Sequence, residues 1–132
     1  MSQRLIRLLE TYNFSAFLLL LLFYFAYSFL EIPAWFVPVG RMHLMVLHLP
    51  IGLWVASIIL SFTTDSKSTL PGLMWKTTAA SAMTAAIMGL MLSTEGGYDE
   101  STLAWHRHLS VSFAALSYLL CFVSKKTPYF LR

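Results

Sequence analysis

Four apolar stretches, each long enough to cross a bilayer, take up most of this chain: Phe14 to Leu30, Met42 to Phe62, Leu73 to Ser93 and Leu103 to Val123. They limit the fold more than any motif does. A hydrocarbon layer about 30 Å thick needs about 17–25 helical residues at about 1.5 Å each. Inside lipid the backbone must satisfy its own hydrogen bonds, so runs of this length are helices. Of the 132 residues, 58% are hydrophobic and 11% charged, too little polar surface to cover a water-soluble domain. The expectation is an all-α protein, a four-helix transmembrane bundle forming one domain over residues 1–132, with membrane lipid around it.

The first run follows Arg4 and Arg7 as a secretory signal would, but no small-residue cleavage pattern comes after it, so it reads as a retained helix. The first connection, Glu31 to Arg41, is rich in Pro33, Trp35, Pro38 and Gly40 and reads as a helix-breaking loop with an indole at headgroup level. The second, Thr63 to Gly72, ends in Pro71, a residue suited to a first helical turn. The third, Thr94 to Thr102, holds Gly96, Gly97, Tyr98, Asp99 and Glu100 and reads as a tight acidic turn. Small residues Ala82 and Ala86, then Ala85, Gly89 and Ser93, recur four apart on the third run, forming a ridge that lets a neighbour approach and makes that helix central.

Orientation follows the bases. Arg4, Arg7, Lys67, Lys76, Lys125, Lys126 and Arg132 fall on one side and only Arg41 and Arg107 on the other. The positive-inside rule then places both termini in the cytoplasm, or in the matrix or stroma if the membrane is an organelle's, and the setting expected is a bacterial inner membrane. The net charge of +3 is scattered in ones and twos, without the basic stripe that nucleic acid requires. Cys121 is the single cysteine, which excludes an internal disulfide and a C-x-x-C-H attachment site for haem c. In its apolar setting it reads as an inert thiol.

All four histidines lie toward the outer side: His43 and His48 early in the second helix, His106 and His108 early in the fourth. The offset of five between His43 and His48 rotates them well apart, so both cannot address one planar ligand. His106 and His108 project to nearly opposite sides of their helix, so one of them faces inward. Two imidazoles facing across helices supply the axial ligands of a b-type haem. His48 is the candidate on the second helix, being deeper and followed by Gly52 one turn later, where a missing side chain leaves room for a porphyrin plane. Pro50 kinks the helix nearby. His106 is its partner on the fourth helix, with Ser110 and Ala114 keeping that face small, and His108 is the alternative ligand. His43, Arg41 and Arg107 then form a rim for the propionates. Other readings stand beside this one: histidines anchored at headgroups, or a copper or zinc centre from His43, His48, His106 and Met45.

The motifs Gly40-Arg41-Met42-His43, His48-Leu49-Pro50-Ile51-Gly52, Ser93-Thr94-Glu95-Gly96-Gly97-Tyr98-Asp99 and His106-Arg107 occur in that order over about two thirds of the chain. In this the sequence resembles a group of four-helix membrane domains often joined to, or encoded beside, c-type cytochrome domains. The resemblance implies a redox-associated membrane module that carries haem b or passes electrons to a cytochrome partner. His108 stands where that pattern has an aromatic and Ser110 where it has glycine, which leaves the ligand on the fourth helix open and tightens the space beside it.

Three functions compete on this reading. The first is an electron-transfer subunit holding haem b through His48 and His106, in which the iron does the chemistry and the chain is not itself an enzyme. The second is a non-catalytic accessory subunit of a larger membrane complex, docking through its first and third helices. The third is quinol oxidation at an outer histidine paired with Glu95.

Overall fold

The computed structural model describes the chain apart from residues 1–2, 27–28, 30, 32, 66–67, 95–96, 98 and 127–132 and the side chains of residues 34 and 122–126. Leu30, Lys67, Glu95, Gly96, Tyr98 and Arg132 therefore lie outside the described residues. Those described are helical, without strands. Four long helical stretches follow one another: α1, Gln3–Ala26; α2, Val37–Thr63; α3, Leu70–Leu92; and α4, Glu100–Lys126. Helices α1 and α2 are long and apolar enough to cross a membrane.

Two boundaries differ from the sequence expectation. Helix α1 begins at Gln3, well before Phe14, because Arg4, Leu5, Arg7, Leu8 and Glu10 are good helix formers that continue its register below the apolar run. Helix α2 begins within the stretch read as a helix-breaking loop. Pro38 sits in its first turn, where a missing N–H costs nothing because that donor has no intrahelical partner anyway. The helical run of α2 pauses at Met42 and Leu47, dividing it into Val37–Arg41, His43–Val46 and His48–Thr63, although the Met42 and Leu47 amides still reach the Pro38 and His43 carbonyls. Pro50 removes the donor that would reach the carbonyl four residues back. Leu47 nevertheless keeps helical angles (φ −57°, ψ −35°), so the path of the chain continues through the interruption.

Helix α3 touches each of the other three. Its ridge makes this possible: Ala79, Ala82, Ala85 and Ala86 are all buried, and a Cβ on Gly40 of α2 would stand 3.1 Å from the backbone nitrogen of Leu92. At such closeness α2 and α3 meet backbone to backbone, where dispersion and short polar links hold helices together. Most of the links run through α3. Ser57 and Thr78, both fully buried, share a hydrogen bond of 2.9 Å. Asn13 Nδ2 donates to the Lys76 carbonyl at 3.0 Å, and Lys76 Nζ meets Glu10 at 3.0 Å. Tyr12 and Thr84 hydroxyls are 2.6 Å apart. Cys121 Sγ donates to the Trp75 carbonyl at 3.1 Å.

The polarity of α2 is the reverse of a water-soluble helix. Gly40, His43, Leu47, Pro50, Trp54, Ser57 and Ser61 form the stripe against the rest of the protein, at alternating spacings of three and four. Leu44, Ile51, Val55, Ile59 and Phe62 are exposed on the other side. Only 11% of the most apolar window of α2 is buried, and 17% of that of α1.

Asp99 opens α4. Its Oδ2 accepts from the Thr102 amide at 2.8 Å and the Ser101 hydroxyl at 2.6 Å, which caps the first turn. Gly97 before it has φ +81°, a left-handed turn that favours glycine. The Ser101 and Thr102 bonds hold the Asp99 carboxyl down at about 2. Since the folded value is depressed, the cap contributes fully above the ordinary aspartate range and is lost as pH falls through about 2. The Thr102 amide proton shift is expected to titrate with a midpoint near pH 2 rather than near 4, and Asp99→Ala is expected to remove that titration and loosen the first turn of α4.

Candidate functional site

The structure brings His43 and His106 together. Their ring centroids are 6.0 Å apart at an interplanar angle of 87°. His43 is 3% exposed, seated on α3 where Gly89 leaves room: a Cβ on Gly89 would lie 3.0 Å from His43 Cε1 and 3.3 Å from its Nε2. Its Nδ1 is 2.7 Å from the Ala85 carbonyl oxygen. A carbonyl only accepts, so Nδ1 carries the proton and the neutral ring has its lone pair on Nε2. That Nε2 is buried and has no hydrogen-bond partner among the described residues.

His48, expected to be the inward ligand, faces the other way. It is exposed, and its Nδ1 is turned back to the Leu44 carbonyl of its own helix at 3.2 Å. Gly52 has no atom within 4 Å of the place a Cβ would occupy, so it makes no porphyrin-sized gap between helices. His48 and His106 are therefore not juxtaposed. The physical reason is helical phase: five residues rotate His48 about 140° from His43, and the buried stripe of α2 runs through His43.

On α4 the two histidines part as expected. His106 turns toward His43, while His108 Nδ1 is 2.7 Å from the Tyr24 hydroxyl of α1, the rings meeting edge to face with centroids 5.8 Å apart. His108 is thus occupied away from the pair. Arg41 is exposed at the start of α2, and Arg107 is half-buried beside His106.

A cleft between α3 and α4 opens beside the pair. Ala86, Gly89, Leu90, Ser93, Leu103, His106, Arg107 and Ser110 line it, almost wholly through apolar atoms. It is shallow, with a cavity volume of about 10 Å³, room for a single water-sized occupant. Both serine hydroxyls already donate within their helices, Ser93 to the Leu90 carbonyl at 2.6 Å and Ser110 to the His106 carbonyl at 2.7 Å.

This cleft by itself is smaller than a tetrapyrrole. The separation of the two rings is close to that of imidazoles sharing one metal ion through bonds of about 2 Å. The cleft, however, falls short of the roughly 300–1,000 Å³ of sites for drug-sized molecules, and a porphyrin is larger than most of those. Among the described residues no three His, Cys, Asp or Glu side chains gather as a metal site, so the copper or zinc centre from His43, His48, His106 and Met45 is not assembled either. Met45 is 78% exposed.

Gly89, Ala85 and Ser93 belong to the site but were not chosen for it from the sequence, which did place Ser110 beside His106. The signal was present in the ridge Ala85, Gly89, Ser93: it is the seat of His43. Gly89→Ala is expected to push the His43 ring off the Ala85 carbonyl and destabilise the fold by about 1–3 kcal/mol through overpacking. Gly52→Ala is expected to be neutral or to stabilise by up to about 1 kcal/mol, the helix-propensity gain at an open site. Thermal unfolding of both variants in detergent checks the contrast.

Comparison with protein-family models, with curated proteins and with solved structures finds no match for this chain.

Proposed function

We propose that this chain is an integral subunit of a membrane redox complex, crossing a bacterial inner membrane four times as a helical bundle with both ends in the cytoplasm. Its working site is the His43–His106 pair near the outer surface, which accepts a hydrogen bond or proton from a ligand of that complex. Exposed apolar α1 and α2 support the membrane placement, since helices of that composition in water would be buried. The bases at both chain ends support the orientation.

The observation that carries the site is His43. A histidine serving as a headgroup anchor would be exposed, whereas this one is 3% exposed with its tautomer set by the Ala85 carbonyl. Burying an imidazole nitrogen without a partner is costly, and within a membrane such groups mark sites of ligand or proton exchange. The haem b reading needs His48 opposite His106, whereas His48 is exposed and turned back to the Leu44 carbonyl, which supports the His43–His106 pair instead.

Nitrogen-15 spectra of histidine-labelled protein in bilayers are the test, run with an absorption spectrum. We expect His43 as the Nδ1–H tautomer with a bare Nε2, and no Soret band. A protonated, water-exchanging His43 Nε2, or stoichiometric haem that His48→Ala removes, would overturn the proposal.

A second reading is favoured by the outward strip of α2. His48 is a polar group standing with Gly52 among exposed Leu44, Ile51 and Val55. A non-catalytic accessory subunit would cover that strip with a partner, and a c-type cytochrome suits the redox setting that the resemblance implies. A photo-crosslinker at position 48 that captures a stoichiometric partner in native membranes, in protein whose His43 is protonated at Nε2, would support this reading over the first.

A further inference from the structure

His43 is arranged as a metal-ligating histidine is. Such a residue donates one ring N–H to a backbone carbonyl or a carboxylate, which fixes the tautomer and leaves the lone pair of the other nitrogen for the metal. His43 Nδ1 donates to the Ala85 carbonyl at 2.7 Å, and its Nε2 is buried without a hydrogen-bond partner among the described residues. The backbone of α3 holds the ring in this pose: a Cβ on Gly89 would stand 3.0 Å from Cε1 and 3.3 Å from Nε2.

A second nitrogen ligand stands within reach. The His106 ring centroid is 6.0 Å from that of His43. An imidazole built from bonds of about 1.3–1.4 Å has a radius of about 1.1–1.2 Å, and metal–nitrogen bonds are about 2 Å. Two imidazoles on opposite sides of one ion therefore put their centroids about 6 Å apart. The 87° between the ring planes is no obstacle, because each ring turns about its own metal–nitrogen bond. His106 is exposed, so an ion reaches the pair from the surface, while His43 is 3% exposed and holds it from within.

The donor set selects the ion. No third His, Cys, Asp or Glu joins the pair among the described residues. Zinc closes a tetrahedral shell, and calcium and magnesium require a shell of oxygens. Copper(I) is a soft ion that imidazole suits and that is satisfied by two ligands in line. Charge points the same way. Two neutral imidazoles bring no negative charge, and the cost of burying an ion rises steeply with its charge, which favours a monovalent ion over a divalent one.

We propose that His43 Nε2 and a ring nitrogen of His106 bind one copper(I) ion between them, in line, near the starts of α2 and α4. This goes beyond the proposed function while resting on the same His43–His106 site: the lone pair that accepts a proton there accepts a metal ion. Binding forms two nitrogen–copper bonds and breaks no N–H bond of His43, whose proton stays on Nδ1 against the Ala85 carbonyl.

The test is an anaerobic titration of the protein in nanodiscs with copper(I), using bicinchoninate as a coloured competitor, with nitrogen-15 spectra and copper K-edge absorption on the same samples. One ion per chain is expected, with two nitrogen neighbours at about 2 Å, a shifted His43 Nε2 resonance and a retained Nδ1–H. His106→Ala, at an exposed position, is expected to abolish this binding. Gly89→Ala, which pushes His43 off the Ala85 carbonyl, is expected to weaken it by about 10–100-fold. His108→Ala, whose ring is engaged by Tyr24, is expected to leave it unchanged. No stoichiometric uptake by the unaltered protein, uptake that survives in His106→Ala, or a Soret band that His106→Ala removes overturns the proposal. The copper-free spectrum reads the His43 tautomer by itself, so a failure to bind copper and a failure of the histidine site are told apart.

Discussion

The small-residue face of α3 is what the rest of the structure depends on. Between lipid-exposed helices there is little hydrophobic force, and association comes from close packing and from polar groups that find partners across the contact. Ala79, Ala82, Ala85, Ala86 and Gly89 remove side chains from the surfaces where α1, α2 and α4 approach. Once the backbones are that close, side chains such as Asn13, His43 and Cys121 reach carbonyls of α3 at Lys76, Ala85 and Trp75. The same closeness seats His43 on Gly89, with a narrow cleft beside it.

Much of this was legible in the sequence. The lengths of the apolar runs locate four helical stretches, the recurrence of Ala and Gly marks the third as the one others pack on, and the spacing of His106 and His108 sends them to opposite sides. The ends were less legible. Pro38 reads as a breaker in isolation, yet as a first-turn residue it starts α2 early. The amphipathic stretch before Phe14 joins α1 because Glu10 has Lys76 to meet, a contact that local composition does not reveal.

The choice between His43 and His48 shows where depth misleads and phase decides. His48 lies further into the apolar run and carries Gly52 one turn on, which favours it if gaps are sought on the same helix. The usable signal was the company each histidine keeps. The stripe through His43 holds Gly40, Trp54, Ser57 and Ser61, whereas the stripe beside His48 holds Leu44, Ile51, Val55 and Ile59. In a membrane-crossing helix the polar stripe turns to protein and the apolar one to lipid. What the sequence could not supply was the partner: the seat at Gly89 and the acceptor at Ala85 belong to another helix.

A fixed tautomer next to a second imidazole is what the proposed function rests on. The central claim is that His43, and not His48, faces His106. A through-space correlation between histidine side chains, recorded by magic-angle-spinning NMR on the protein in bilayers, measures it directly. The account predicts a His43–His106 cross-peak and none between His48 and His106; a His48–His106 cross-peak with His43 uncorrelated would contradict it.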